Sequence, residues 1–203
     1  MGRIYLLRHG ETEWNRQRRV MGSLPIALSD TGVQQARALA EALARRPLAA
    51  VYSSPLRRAM ETAEILAAPH GLAPVPVPGF TELPFGEWEG KSWDELRLLR
   101  LYQDWRADPT SITLPGGGTI AQVQERAVAA LERLRAAHPE QRLAVVSHAE
   151  VIKCLLCHYL GITLKFLPRL IIDNGTISTF SWGEDGVRVV RVNALPAAVA
   201  AQP

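Results

Sequence analysis

Apolar residues crowd into RIYLL at 3–7 and LAVVS at 143–147 with little alternation, and AVYS at 50–53 is a third short β-rich run. Runs of that length without a polar face suit parallel strands covered on both sides. Between them the apolar spacing changes to three and four. Thr31 with Gln34 reads as a capping box for a helix that turns Val33, Ala36, Leu39, Ala40 and Leu43 to one side before Pro47. Ser54 reads as the next cap, with Pro55 at the first helical position and Leu56, Ala59, Met60 and Ala63 inward until Pro69 and Gly71.

Ser92 with Glu95 is a second box, opening a helix expected to run through Trp105. Thr119 with Gln122 is a third, heading a long helix that ends at His138-Pro139. Gly161 is placed to close a helix begun near Ala149. Residues 176–181 and 187–192 read as two strands joined by the turn WGEDG, and PVPVPG at 74–79 is at best an edge strand. Strands that alternate with helices predict an α/β fold: a three-layer sandwich with a mostly parallel central sheet flanked by helices. Residues 1–193 form one expected domain, and the Ala- and Pro-rich stretch 194–203 is expected to be a flexible tail.

At 203 residues and 47% hydrophobic composition the chain can bury one full-sized core. No run of 18 apolar residues occurs, and MGRIYLLRHG turns polar too soon for a signal-peptide core, so a cytoplasmic protein with no membrane partner is expected. The net charge of +3 comes mainly from scattered arginines, since Lys91, Lys153 and Lys165 are the only lysines. That distribution suits a small anionic partner no less than nucleic acid, and no nucleic-acid partner is expected. Cys154 and Cys157 form a lone CxxC without a second ligand pair, on apolar helical spacing. They read as buried thiols, and no metal is expected.

In an open parallel sheet, ligands bind beyond the carboxyl ends of the strands. LLRH and VVSH both end there and deliver His9 and His148, with Arg8 beside the first. The run after Ala50 ends in SSPLRR, where Arg57 and Arg58 stand near a helix start and oppose its dipole, which points to an anion partner. Planar guanidinium holds two phosphate oxygens at once, and neutral imidazole is a competent nucleophile toward phosphorus. A leaving alkoxide needs an acid, and FTELPFGEWEG offers Glu82, Glu87 and Glu89, among which spacing does not choose.

The segments RHGETEWN, SSPLRRAMETA, TELPFGEWEG, PGGGT and VSHAEVI, taken in order over roughly residues 3 to 180, make the chain similar to the histidine phosphatase superfamily, in the branch that includes cofactor-dependent phosphoglycerate mutases. The resemblance implies the phosphoglycerate mutase-like fold and a phosphohistidine at His9. It implies that Arg8, Arg58 and His148 form the phosphate pocket with Asn15, and that Glu82 is the proton donor. It also implies a small helical cap over residues 82–118, no cofactor, and a small phosphorylated metabolite as partner of a monomer or homodimer.

Within the family the chain looks like α-ribazole phosphatase or broad-specificity relatives. It is short, and SHAEV replaces the AHGNS-like pattern of mutases. The expected function is therefore metal-independent hydrolysis of a phosphomonoester. The alternatives are a 2,3-bisphosphoglycerate-dependent phosphoglycerate mutase and, from another class, a non-catalytic phosphate-binding module. Three departures bear on specificity: Gly118 where many relatives have glutamate, Pro25 and Ala27 after Gly22, and Ala149-Glu150 where two glycines are common. Glu150 reads either as a helix-end carboxylate or as a contact to a polar or cationic part of the substrate.

Overall fold

A computed structural model describes residues 1–183 and 186–200. The strands are β1 (Gly2–Arg8), β2 (Leu48–Ser53), β3 (Val75–Pro76), β4 (Arg142–Ser147), β5 (Ile177–Gly183) and β6 (Gly186–Ala194). They form one sheet in the order β3-β2-β4-β1-β5-β6. β1, β2, β3 and β4 are parallel; β5 runs against β1, and β6 against β5. The helices are α1 (Glu13–Arg16), α2 (Asp30–Leu43), α3 (Arg57–Ala67), α4 (Trp93–Arg97), α5 (Arg100–Ala107), α6 (Ile120–Ala137), α7 (Ala149–Tyr159) and α8 (Pro196–Ala200).

The strands' alternation builds two cores. Ile4, Leu6, Leu143 and Val145 point to the face covered by α6 and α7, where Val123, Ala127, Val151 and Leu155 meet them. Tyr5, Leu7, Ala144 and Val146 point to the other face, against Leu39 and Leu43 of α2 and Ala59 and Ala63 of α3. Two buried faces explain why β1 and β4 lack a polar side. Because they are central neighbours in register, with Arg8 opposite Ser147, the residues that follow them emerge side by side at one rim.

Several local expectations are corrected. α2 is capped by Ser29, whose hydroxyl accepts from the Gly32 N–H at 3.1 Å, and not by a Thr31–Gln34 box. α3 begins at Arg57 with Leu56, not Ser54, as its N-cap; the apolar Leu56 side chain makes no capping bond, and the Ser54 hydroxyl instead meets the Leu56 N–H and His148 Nε2. The helix expected from Ser92 to Trp105 breaks into α4 and α5. Its Ser92–Glu95 capping box is present, but Leu99 adopts an extended ψ of 131°. Within the tail expected to be loose, residues 196–200 form α8, which packs on α2 with Val199 buried and whose Val199 carbonyl accepts from Arg46 at 3.1 Å. Of the WGEDG turn, Glu184 and Asp185 lie outside the described residues. No helix among the described residues is long and apolar enough to cross a membrane.

The chain between Glu82 and Gly118 packs on its own aromatic cluster. Trp88 and Trp105 meet edge to face at 6.2 Å, and Phe85 meets Trp93 the same way at 5.8 Å. The glycines at 116–118 act as packing residues. A Cβ on Gly117 would lie 2.4 Å from the Pro84 carbonyl, which accepts from the Gly118 N–H at 2.9 Å. At the opposite side of the rim, the backbones of Gly10 and Gly32 touch, and a Cβ on Gly32 would lie 2.0 Å from the Glu11 carbonyl oxygen. This contact seats the loop after β1 on the start of α2. Gly32→Ala should therefore cost about 1–3 kcal/mol by overpacking and displace residues 9–11, read as a lower midpoint in thermal melts together with weakened phosphate binding. An unshifted melt would show that the loop has room to yield.

Candidate active site

β1 ends at Arg8, so His9 is the first residue past the strand and faces inward under the loop. It is 1% exposed. Its Nδ1 lies 2.7 Å from the Gly10 carbonyl oxygen, which can only accept, so the proton sits on Nδ1. The Nε2 lone pair then faces outward and accepts from Arg58 Nε at 3.2 Å. Burial, then the charges of Arg58 and Arg8, hold the ring well below the usual histidine range, so it is neutral at pH 7. A neutral ring with a fixed tautomer presents a nucleophilic nitrogen without prior deprotonation.

Two arginines flank it. Arg58 comes from the first turn of α3 and is held by backbone carbonyls: Nη1 donates to Leu24 O at 3.0 Å and Nη2 to Gly22 O at 2.8 Å. Its own pKa is lowered to about 10, mainly by burial, so it stays charged at neutral pH. Arg8 Nη1 donates to the Ile172 carbonyl at 2.6 Å, while its Nε is buried with no partner among the described residues. Neither cation forms an ion pair with a carboxylate among the described residues. Arg57, the other arginine of SSPLRR, points away and pairs with Glu61 at 2.7 Å on the surface.

His148 follows β4 and lies beneath His9, with ring centroids 5.2 Å apart. Its Nε2 is 2.7 Å from Ser54 Oγ, which accepts from the Leu56 N–H and gives its own proton to Nε2, so the neutral ring carries its proton on Nδ1, which is buried without a partner among the described residues. Burial and the neighbouring Arg58 depress this pKa strongly as well. Asn15 reaches the same rim from α1. Its Oδ1 accepts from the Thr12 N–H at 3.0 Å and from Asn174 at 3.3 Å, which leaves the amino end uncommitted.

Glu82 approaches from the opposite side. One carboxyl oxygen accepts from the Leu83 N–H at 2.9 Å, and Arg126 of α6 clamps the Glu82 carbonyl at 3.0 Å. Burial, then the charge of Glu150, raises its pKa to about 7. A carboxyl group is thus protonated for much of the time at neutral pH within the same cavity as two guanidiniums. Of the other acids left open by spacing, Glu87 is exposed, and Glu89 spends one oxygen on the backbone N–H groups of Ser23 and Phe85. Glu89 therefore staples the Gly22–Ser23 turn to the FGEWEG loop.

The cavity measures about 410 Å³, and Arg8, His9, Asn15, Arg58 and Glu82 meet at one end of it. All of the expected site residues converge, with His148 behind the wall. Residues that sequence reasoning did not single out complete it. Thr62, one turn after Arg58, accepts from the Gly10 N–H at 3.1 Å and donates to Arg58 O at 2.8 Å. Asn174 donates to the His9 carbonyl at 3.1 Å, and Arg19, Trp93 and Lys153 also line the cavity. The helical spacing of Thr62 from Arg58 and the turn-forming DNG at 173–175 were the available signals. Cys154 and Cys157 are buried free thiols on α7.

Residues 4–195 match the histidine phosphatase superfamily (branch 1). Phosphoserine phosphatase 1 of Hydrogenobacter thermophilus is 31% identical over 195 residues, which is 95% of this chain and 92% of that protein. Bacillus stearothermophilus YhfR superposes with a TM-score of 0.90 at 28% identity, over 96% of this chain and 98% of that one. The α-ribazole phosphatase of Shigella flexneri gives 0.85 at 25% identity, over 95% and 98%. With His9, Arg58 and His148 gathered at the carboxyl ends of β1, β2 and β4 as in the motifs quoted above, the chain belongs to branch 1 of the histidine phosphatase superfamily.

Proposed function

We propose that this histidine phosphatase hydrolyses a small phosphorylated metabolite in two steps through a phosphohistidine at His9. The observation that carries the reading is the fixed tautomer of His9, which presents Nε2 at the end of the cavity where Arg8 and Arg58 stand. The substrate phosphoryl group lies between the two guanidiniums, with Asn15 and the free nitrogen of His148 as further donors. Nε2 attacks phosphorus, the ester P–O bond breaks, and the electron pair leaves on the ester oxygen. Glu82 gives that oxygen its proton and becomes a carboxylate. In the second step the carboxylate takes a proton from water, the hydroxide attacks phosphorus, and the N–P bond breaks. Inorganic phosphate leaves, with His9 neutral and Glu82 protonated again.

The transition state spreads negative charge over the phosphoryl oxygens, and donors held in place by backbone carbonyls stabilise it without reorganising. The leaving group extends into the wider part of the cavity, where Phe85, Trp93 and Ile172 are apolar and Arg19, Glu150 and Lys153 are polar. A metabolite-sized alcohol fits this mixture. The relatives named for phosphoserine and α-ribazole phosphate support that size class, with α-ribazole 5'-phosphate or a broad range of esters as the substrate.

The reading is checked by inorganic phosphate release, with chelator present, from a panel of 4-nitrophenyl phosphate, α-ribazole phosphate, phosphoserine and sugar phosphates. Turnover should persist in the wild type and vanish in His9→Ala; isomerisation of 3-phosphoglycerate with no release would indicate a mutase. Glu82→Gln should slow alkyl esters by roughly 10² to 10⁴ and 4-nitrophenyl phosphate much less, because the aryl oxygen leaves without a proton. Equal losses would assign the acid to another residue. In the wild type, kcat/KM for alkyl esters should decline as pH rises through about 7, where Glu82 loses its proton.

The same groups set the stability at acid pH. His9 and His148 have depressed pKa values, so the stability they contribute is full above 6.5 and is lost as pH falls. Glu82 has a raised pKa, so its contribution grows as pH falls from about 7 toward 4.5. Between about 6.5 and 4.5 unfolding therefore takes up protons at the histidines and releases one at Glu82, and the two effects oppose each other. Glu82→Gln removes the opposing proton, and denaturant titrations at several pH values should then show the folding constant falling more steeply below pH 6.5 than in the wild type. Parallel pH dependences in the two proteins would mean that Glu82 is ionised in the fold.

A further inference from the structure

The part of the cavity wall at the start of α7 contains charges that the two-step reaction does not use. Glu150 and Lys153, one turn apart at the start of α7, form an ion pair of 3.0 Å whose side chains are only 12% and 14% exposed. An ion pair this far out of water gains little over apolar packing and needs every polar atom satisfied. This one is not satisfied. Lys153 engages Oε1 of Glu150, while Oε2 is buried with no hydrogen-bond partner among the described residues. Arg8, whose charge Glu150 feels, does not supply one, since its Nη1 donates to the Ile172 carbonyl. A carboxylate oxygen is an acceptor only, so the missing group is a donor.

Both residues line the cavity that holds His9 and Glu82, on the wall formed by the first turn of α7, immediately after His148. We propose that the Glu150–Lys153 pair is a leaving-group subsite, in which Lys153 fixes the Glu150 carboxylate and Oε2 accepts from an amine or hydroxyl on the substrate alcohol close to the ester oxygen. The proposal rests on the phosphatase reading of the site. It makes the favoured substrate an alkyl phosphate with a hydrogen-bond donor near the phosphate, in preference to a purely aliphatic ester. It also gives the SHAEV sequence a task that the phosphate pocket leaves unassigned, because the helix-end reading of Glu150 would place the carboxylate in solvent.

The test measures binding, so that it does not depend on turnover. Calorimetric titrations of the His9→Ala protein, with and without Glu150→Gln, would use O-phosphoethanolamine, glycerol 1-phosphate, propyl phosphate and inorganic phosphate. Glutamine keeps the shape and an oxygen for Lys153 but loses the charge. The affinity of O-phosphoethanolamine or glycerol 1-phosphate relative to propyl phosphate should fall by about tenfold or more. The double variant Glu150→Gln/Lys153→Met, which removes the buried charge pair entirely, should show the same fall if the single variant is unstable. An unchanged ratio, or an equal weakening for all three esters, would overturn the subsite while leaving the phosphate pocket intact. Failure of the His9→Ala protein to bind even inorganic phosphate would overturn the pocket and the subsite together.

Discussion

The site depends on one short hydrogen bond, from His9 Nδ1 to the carbonyl of Gly10 at 2.7 Å. Because a carbonyl can only accept, the bond decides which ring nitrogen carries the proton and therefore which one reacts. The surrounding packing keeps that carbonyl in place. The Gly10 N–H donates to Thr62, Thr62 donates to the Arg58 carbonyl, and Asn174 reaches the His9 carbonyl from the far side. Nucleophile, guanidinium and the loop between them thus share one network, so a shift of α3 would move Arg58 and the His9 ring together.

The second constraint is the accumulation of buried positive charge. Arg8 and Arg58 are held by carbonyls of the 22–24 turn and of Ile172 instead of carboxylates, which leaves their charge available to a ligand. Burial lowers the basicity of both histidines, and that field works in the same direction. At Glu82 burial and the charge of Glu150 act in the opposite sense and outweigh the arginines, so the carboxyl keeps its proton near neutrality. One enclosed space therefore holds a neutral base and a neutral acid side by side. Such a separation of pKa values is what acid–base assignments at pH 7 require.

Much of this organisation was legible in the chain. The unalternating runs of β1 and β4 marked central strands, and their last residues marked the rim at which His9 and His148 meet. Spacing alone left Arg57 level with Arg58 and Glu82 level with Glu87 and Glu89, because a face of a helix start or a side of a loop is decided by tertiary packing. In the fold, Arg57 meets Glu61 on the surface and Glu89 staples the 22–23 turn. The local misreadings have physical causes. Ser54 is a plausible cap in sequence, but its hydroxyl is drawn to His148, a residue distant in the chain. Thr62 and Asn174 matter through contacts to backbone groups of the His9 loop, which no periodicity encodes. Glu150 was conspicuous only by its position after His148; its pairing with Lys153 and its unpartnered oxygen required coordinates.

The most direct test of the fixed-tautomer nucleophile is to quench the wild-type protein in alkali within the first turnover and locate the phosphoryl group by peptide mapping and phosphorus NMR. A single phosphohistidine at His9, bonded through Nε2, is the expected result. Phosphate on Nδ1 of that ring, on His148 or on a non-histidine residue would contradict it, because the Gly10 carbonyl would then not be what selects the reacting atom.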